Sequence, residues 1–228
     1  NFWYGYEWNS ATPQQPTENN ITNSYYPKNS VSDPLRYYKE TGYGTPPGRV
    51  DPTNSLFKSL PNVNEMIWYV KKGDPRWDYN ELWTTMGHLY KGGVWIKKAA
   101  VIAKDYAYWA TPATLKDAAP DGIDYRSNTP LSWTDADYSV MTRNTLPDAS
   151  EAGNYFFLAP RGYYYGTQDG TALEGSLCEC GYAGEYFSSS TRPWGRRVPF
   201  HLVFNSGQIG VTFNRPFDRG SVVQQQFE

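Results

Sequence analysis

The sequence has no excess of charge of one sign and no long apolar run. Its 228 residues include 21 lysines and arginines against 23 aspartates and glutamates, which gives a net charge of −2. Sequence-independent binding to nucleic acid needs a surplus of positive charge to neutralise phosphates, so we expect no nucleic-acid partner. The mean hydropathy is −0.69. No apolar stretch reaches the roughly 18 residues that a membrane-spanning helix requires, so no transmembrane segment is predicted.

Cysteine is also scarce. Cys178 and Cys180 are the only two, separated by one residue. In an extended strand their Cα atoms would lie about 6.5–7 Å apart, at the limit of disulfide geometry, and such a short loop would add little stability. We expect two free thiols that folding does not need. The only two histidines, His88 and His201, lie far away in sequence, so we predict no metal site and no cofactor.

The sequence lacks the common catalytic motifs. It has no nucleophile elbow, phosphate-binding loop, zinc-protease motif or dinucleotide fingerprint. We interpret His88 as a structural residue rather than a general base, and we expect a non-enzymatic protein. A hydrolase stays open, because paired carboxylates meet only in three dimensions. Two groups of carboxylates lack EF-hand spacing and are interpreted as turn residues rather than calcium ligands. They are Asp74, Asp78 and Glu81, and Asp135 and Asp137.

Aromatic residues, in contrast, are abundant. Phenylalanine, tyrosine and tryptophan make up 17% of the chain, far more than in disordered proteins. Residues 1–55 are rich in proline, asparagine and tyrosine. They are predicted to form a loop-rich segment that packs through its tyrosines on a main domain at 56–228, with a partly mobile arm as the alternative. The chain starts at Asn1 without a signal sequence, which we interpret as a mature or excised fragment.

The strongest helix signal covers residues 62–72. Asn62 is a good N-cap and Glu65 stands three positions later, in capping-box spacing. We expect Glu65 and Lys71 to face outward and Gly73 to adopt a left-handed conformation after the last turn. The apolar stripe of this helix, expected to be buried, consists of Val63, Met66, Ile67 and Val70.

The remaining pattern favours strands and turns, so the fold class is predicted to be α+β. A short helix capped by Thr111 is predicted over 112–119. Period-two alternation predicts a hairpin over 200–213 with its turn at 205–208. Further predictions are a hairpin tip at 91–93, a buried strand at 155–158 and a last strand at 221–227.

The segment 192–197 is the best candidate for a binding site. An exposed tryptophan beside planar cations can stack on a sugar, bind an anion or form a protein hot spot. The alternative is a loop whose tryptophan packs on the core and whose arginines pair with local acids. The candidate ligand-binding residues are Arg192, Trp194, Arg196 and Arg197, with Tyr164 from a nearby tyrosine-rich strand.

Four segments follow one another in an order that resembles a known family. They are Leu60-Pro61-Asn62-Val63-Asn64-Glu65-Met66-Ile67-Trp68-Tyr69, Phe157-Leu158-Ala159-Pro160-Arg161-Gly162-Tyr163, Gly181-Tyr182-Ala183-Gly184-Glu185-Tyr186-Phe187-Ser188-Ser189-Ser190 and Phe200-His201-Leu202-Val203-Phe204. This order, over about residues 56–215, resembles the Fibrobacter succinogenes major paralogous domain and the related tip domains of Bacteroides surface and fimbrial proteins.

The resemblance implies a C-type-lectin-like α+β fold with few short helices, a twisted antiparallel sheet and long irregular loops. It implies a secreted or outer-surface adhesin or ligand-binding domain. The implied partners are a host or bacterial surface glycan or protein, and other fimbrial subunits. Two alternatives remain. An enzyme on the related formylglycine-generating scaffold would need Cys178 and Cys180 as exposed, low-pKa thiolates. A structural pilus subunit would need an edge or groove that accepts a donor strand.

Overall fold

A computed structural model describes part of the chain. The described residues are 55–85, 88–106, 111, 114–128, 139–164, 177–191, 199–213, 221, 222 and 224. The predicted N-terminal segment at 1–55 lies outside these residues except for residue 55, as does most of the predicted last strand. No helix among the described residues is long and apolar enough to cross a bilayer.

The described part of the chain is α+β, as predicted, and combines short helices with small antiparallel sheets. The helices are α1 (Ser55–Lys58), α2 (Val63–Lys72) and α3 (Ala99–Asp105), with 3-10 turns at Thr114–Lys116 and Ala152–Asn154. The strands are β1 (Arg76–Thr85), β2 (His88–Lys97), β3 (Ser139–Met141), β4 (Tyr155–Leu158), β5 (Tyr163–Tyr164), β6 (Leu177–Cys178), β7 (Gly184–Thr191), β8 (Pro199–Phe204) and β9 (Gln208–Thr212).

These strands form three sheets. One has the order β1-β2-β4, the second has the order β3-β9-β8-β7, and β5 pairs with β6. Isolated parallel bridges extend them: Arg76 pairs with Arg143 beyond β3, and Val222 pairs with Tyr186 on β7. The sequence predicts a last strand at 221–227. Of its described residues, Val222 pairs with β7 through this bridge.

One hydrophobic core joins α2 to both larger sheets. Trp68 and Val70 of α2 belong to the same buried cluster as Ile96 of β2 and Leu202 of β8. A second buried cluster packs Val63 and Ile67 of α2 against other residues, including Phe200. Helix α2 therefore has few exposed positions and fixes both sheets relative to each other.

The start of α2 has the predicted capping box. Asn62 Oδ1 accepts a hydrogen bond from the Glu65 amide at 3.1 Å, and Glu65 Oε2 accepts one from the Asn62 amide at 2.8 Å. The apolar stripe is buried and Lys71 is exposed, as predicted. The expectation that Glu65 faces outward is wrong, since the residue is 7% exposed. Its carboxylate turns back to the helix start and lies 3.8 Å from Lys116 Nζ.

The end of α2 differs from the prediction. Gly73 has φ −79°, and the left-handed residue is Asp74, with φ 47°. Glycine is needed at position 73 for space instead. A Cβ atom there would lie 2.2 Å from the Tyr69 carbonyl oxygen and 2.5 Å from Ile96 Cγ2. Close packing of the helix end on β2 therefore accounts for Gly73.

The predicted hairpin tip at 91–93 is wrong. Strand β2 continues through these residues, and the pairing with β1 extends to Thr85 and His88. Gly93 allows a close approach of the neighbouring strand rather than a turn. A Cβ atom on Gly93 would lie 2.3 Å from Phe157 Cζ on the neighbouring strand β4.

Two other strand predictions are confirmed. The strand at 155–158 is β4, and β8 and β9 form the C-terminal hairpin with its turn at 205–207. The predicted helix at 112–119 is only the 3-10 turn at Thr114–Lys116. Thr111 caps it as expected, with its Oγ1 accepting a hydrogen bond from the Thr114 amide at 3.2 Å.

Candidate functional site

The predicted loop site lies outside the described residues, so it stays a prediction. The structure describes only the two residues that flank the loop. Thr191 ends β7, Pro199 begins β8, and the two pair with each other. Beside Thr191, Ser190 Oγ accepts a hydrogen bond of 3.2 Å from the Val63 amide at the start of α2. Outside the described part are Arg192, Trp194, Arg196 and Arg197, together with the side chain of Tyr164.

The carboxylates at 74–81 do not converge on a common point. The Asp74 carboxylate accepts hydrogen bonds from Arg76 Nη2 at 2.7 Å and Tyr155 Oη at 2.9 Å, and lies 3.2 Å from Arg143 Nη1. Asp78 is a turn carboxylate, as interpreted from the sequence. The described residues contain no group of three or more histidines, cysteines, aspartates or glutamates that could hold a metal ion. Residues 135 and 137 lie outside them.

Both cysteines are free and half-buried. Burial raises the pKa of the Cys180 thiol above its usual value, although a hydrogen bond with Tyr90 and the charge of Arg161 act in the opposite direction. The same hydrogen bond raises the pKa of Tyr90. Cys180 therefore lacks the lowered pKa that makes a thiol a nucleophile or a strong metal ligand at neutral pH.

The structure also brings together three buried polar residues that the sequence did not point to. Ser221 Oγ donates a hydrogen bond of 2.6 Å to Glu185 Oε1, and His201 Nε2 lies 3.9 Å from the same oxygen. All three residues are at most 2% exposed. The hydroxyl is directed at the carboxylate rather than at the imidazole, so this is not the nucleophile-and-base arrangement of acyl transfer. With the bridge at Val222, it fastens the C-terminal residues to β7.

The hairpin of β1 and β2 contains an internal bulge. Asp78 pairs with Gly93 and Leu82 pairs with Lys91, so residues 79–81 stand opposite Gly92 alone. Asp78 closes the bulge, because its Oδ1 accepts the amides of residues 80 and 81 at 2.8 and 3.1 Å. Beyond the bulge lies the part of the hairpin that we call the hairpin end, residues 79–91.

The two faces of the hairpin end differ. On one face the Trp83 ring stacks on Tyr90 with centroids 4.7 Å apart, and Trp83 Nε1 donates to the Gly92 carbonyl at 2.8 Å. A Cβ atom on Gly181 would lie 2.9 Å from Tyr90 Cδ1, so the turn at 179–182 packs against this face. The opposite face is open to solvent.

The open face carries an apolar pair. Leu82 is 61% exposed and Leu89 is 67% exposed. The strand register places Leu82 opposite Lys91 and Leu89 opposite Thr84, so the two leucines are diagonal neighbours. Tyr79, in the bulge, is 50% exposed. Period-two alternation assigns both leucines to one face, but it does not tell whether that face is covered.

Comparison of the chain with protein-family models, with curated proteins and with solved structures finds no match. The functional interpretation therefore rests on the residues and geometry described above.

Proposed function

We propose that this chain is a non-enzymatic adhesin or ligand-binding domain that acts on the outer cell surface or after secretion, on a C-type-lectin-like fold. The observation that carries the proposal is the apolar pair Leu82 and Leu89 on the open face of the hairpin end. Single exposed apolar side chains are ordinary on protein surfaces, but neighbouring ones on one face are typical of a contact surface.

The hairpin end is also rigid enough to bind at a small entropic cost. Asp78 fixes the bulge through two backbone hydrogen bonds, and the Trp83–Tyr90 stack fixes the opposite face. A preorganised surface loses little conformational freedom on association. Because the open face offers two leucines, a protein surface suits it better than a glycan does.

The raised pKa of Cys180 supports a binding domain over an oxidase on the formylglycine-generating scaffold. That chemistry requires thiols that ionise readily, and burial at this position favours the protonated form.

The test is adhesion of the fluorescently labelled full chain to epithelial monolayers and to bacterial cells. Leu82→Ser combined with Leu89→Ser should reduce binding about tenfold or more, as the loss of a small apolar hot spot does. The matched control is Ile123→Ser combined with Leu146→Ser, two residues that are 41% and 48% exposed elsewhere. The control should bind like the wild type.

Two further arms identify the receptor. Trypsin treatment of the target cells should abolish binding, whereas periodate oxidation of their glycans should leave it. Full binding by the double leucine variant, with a wild-type melting curve, would contradict the proposal. Failure of the wild type to bind either kind of cell would contradict it too.

A further inference from the structure

A cleft of about 270 Å³ lies on the second large sheet, and none of the described residues that line it belongs to the hairpin end. Its floor is the face of β7, β8 and β9 that points away from the main core. Glu185 pairs with Val203, and Val203 pairs with Gly210, so these three positions share that face. Gly210 has no side chain and leaves room above the sheet between its neighbours.

The lining is rich in polar groups and contains acids without bases. Glu185 lies at the buried end and the exposed Glu179 also contributes, while Asn205, Gln208 and Thr212 supply amide and hydroxyl groups. No lysine, arginine or histidine is among the described residues that line the cleft. A carboxylate, sulfate or phosphate would therefore find two acids and no matching cation there.

Glu185 accepts a hydrogen bond of 2.6 Å from Ser221 Oγ at the buried end of the cleft. Carboxylates and side-chain amides together match the adjacent hydroxyl groups of a sugar, which both donate and accept. Tyr163 and Val203 provide apolar surface against which the C–H groups of a sugar ring can pack.

We propose that this cleft binds one neutral sugar residue. The volume is close to the lower end of the range for small-molecule sites, which suits a single ring and excludes a longer ligand bound within it. Binding at the cleft is separate from the adhesive contact proposed for the hairpin end, and either can fail without the other.

The experiment is saturation-transfer NMR followed by titration of the full chain with methyl glycosides of glucose, galactose and mannose and with N-acetylglucosamine. Glucuronic acid and N-acetylneuraminic acid form the anionic arm, and glucosamine forms the cationic arm. We expect at least one neutral sugar to bind with a Kd on the order of 1 mM, as befits a small ligand with few contacts. The anionic sugars should bind at least about tenfold more weakly.

Two variants locate the binding. Glu179→Gln combined with Gln208→Ala replaces one exposed carboxylate by an amide and removes one exposed amide, and should weaken binding about tenfold. Gln208→Trp, at the exposed edge of β9, should fill the opening and abolish it. The control Glu151→Gln combined with Asn80→Ala changes an acid and an amide that are exposed elsewhere and should bind normally. The double leucine variant of the hairpin end should also bind the sugar normally.

Several outcomes would overturn the proposal. They are equal binding of anionic and neutral sugars, unchanged binding by Gln208→Trp, and no detectable binding of any neutral sugar at about ten times the expected Kd. Binding of glucosamine alone would show that the cleft is a cation site, and would overturn it as well.

Discussion

The two faces of the β1–β2 hairpin both carry apolar residues, yet one face is core and the other is surface. Near the base, Trp77, Val94 and Ile96 are at most 4% exposed. Beyond the bulge, Leu82 and Leu89 are more than 60% exposed. The strand register explains the difference, because the first three residues share the face of Trp83 and Tyr90, and the two leucines lie on the opposite face. Strand β4 is four residues long and pairs only with residues 94–97 of β2, so the hairpin extends past its neighbour.

The bulge at 79–81 separates the base of the hairpin from the hairpin end. It inserts extra residues opposite Gly92 and locally disrupts the ladder, as bulges do. The Asp78 carboxylate, 6% exposed, satisfies two amides that the ladder leaves unpaired and accepts a third bond from Trp95 Nε1 at 3.2 Å. Apolar residues on a strand therefore indicate a buried face only where another element covers that face.

The sharpest test of this comparison is the same kind of truncation on both faces. Ile96→Ala at the base should lower the free energy of unfolding by about 3–4 kcal/mol, because Ile96 is fully buried and a cavity would remain. Leu89→Ala at the hairpin end should change it by less than about 0.5 kcal/mol, since little apolar surface leaves contact there. Urea denaturation measures both values. Similar losses at the two positions would mean that the hairpin end is covered in solution.

A smaller effect is expected from Gly93→Ala, which tests how tightly β4 packs on the base. The new Cβ would lie 2.3 Å from Phe157 Cζ and 2.8 Å from the Leu158 carbonyl oxygen, and that backbone atom cannot move without disturbing the ladder. We expect a loss of about 2 kcal/mol in unfolding free energy, in the range for overpacked cores.

The control for this substitution is Gly122→Ala, where φ is +83° and no heavy atom lies within 4 Å of the new Cβ. It isolates the backbone cost of a positive φ, about 1 kcal/mol. If Gly93→Ala were no more destabilising than Gly122→Ala, the close approach of β4 would be refuted.

The elements that sequence reasoning predicted well depend on local signals. The capping box and apolar stripe of α2 lie within eleven residues, and the β8–β9 hairpin has clear alternation on both sides of a short turn. Gly92 and Gly93 resemble a turn locally, but Gly92 has φ +92° opposite the bulge and Gly93 contacts Phe157, more than sixty residues away. The exposure of Leu89 likewise depends on what covers its face of the assembled sheet.

The candidate sites also divide into those with a local sequence signal and those that depend on contacts distant in sequence. The cleft and the Glu185–His201 contact depend on which residues face each other across β7, β8 and β9. Such register follows from the assembled sheet rather than from any single segment. Composition could show that acids and amides are present, but it could not place Glu179 near Gln208. The loop site at 192–197 is different, because its residue types alone predict an exposed binding surface.

The smallest expected effect concerns the ion network that holds the base of the hairpin. Asp74 lies just before β1 and contacts Arg76, Arg143 and Tyr155. Burial acts to raise the pKa of its carboxyl group, but the hydrogen bonds from Arg76 and Tyr155 and the two guanidinium charges outweigh burial and hold the pKa below its usual value. The ionised carboxylate therefore favours the folded state.

A lowered folded-state pKa fixes the sign of the pH dependence. The stabilisation is complete above the unfolded pKa of about 3.9 and is lost as the pH falls through the folded value. Asp74→Asn should cost about 1 kcal/mol at pH 7, a modest figure because the network is partly exposed to solvent. Asparagine tolerates the positive φ at this position, so the substitution adds little backbone strain.

Urea denaturation of both proteins between pH 7 and about pH 2 measures the effect. The gap between wild type and Asp74→Asn should stay constant down to about pH 4 and then narrow as the wild-type carboxylate takes up a proton. Asp148→Asn, at an exposed aspartate, controls for the general effect of acid. Because Asp74 anchors β1 below the bulge, Leu82→Ser combined with Leu89→Ser should leave this profile unchanged. A gap of constant size down to pH 2 would show that the charge of Asp74 does not stabilise the base.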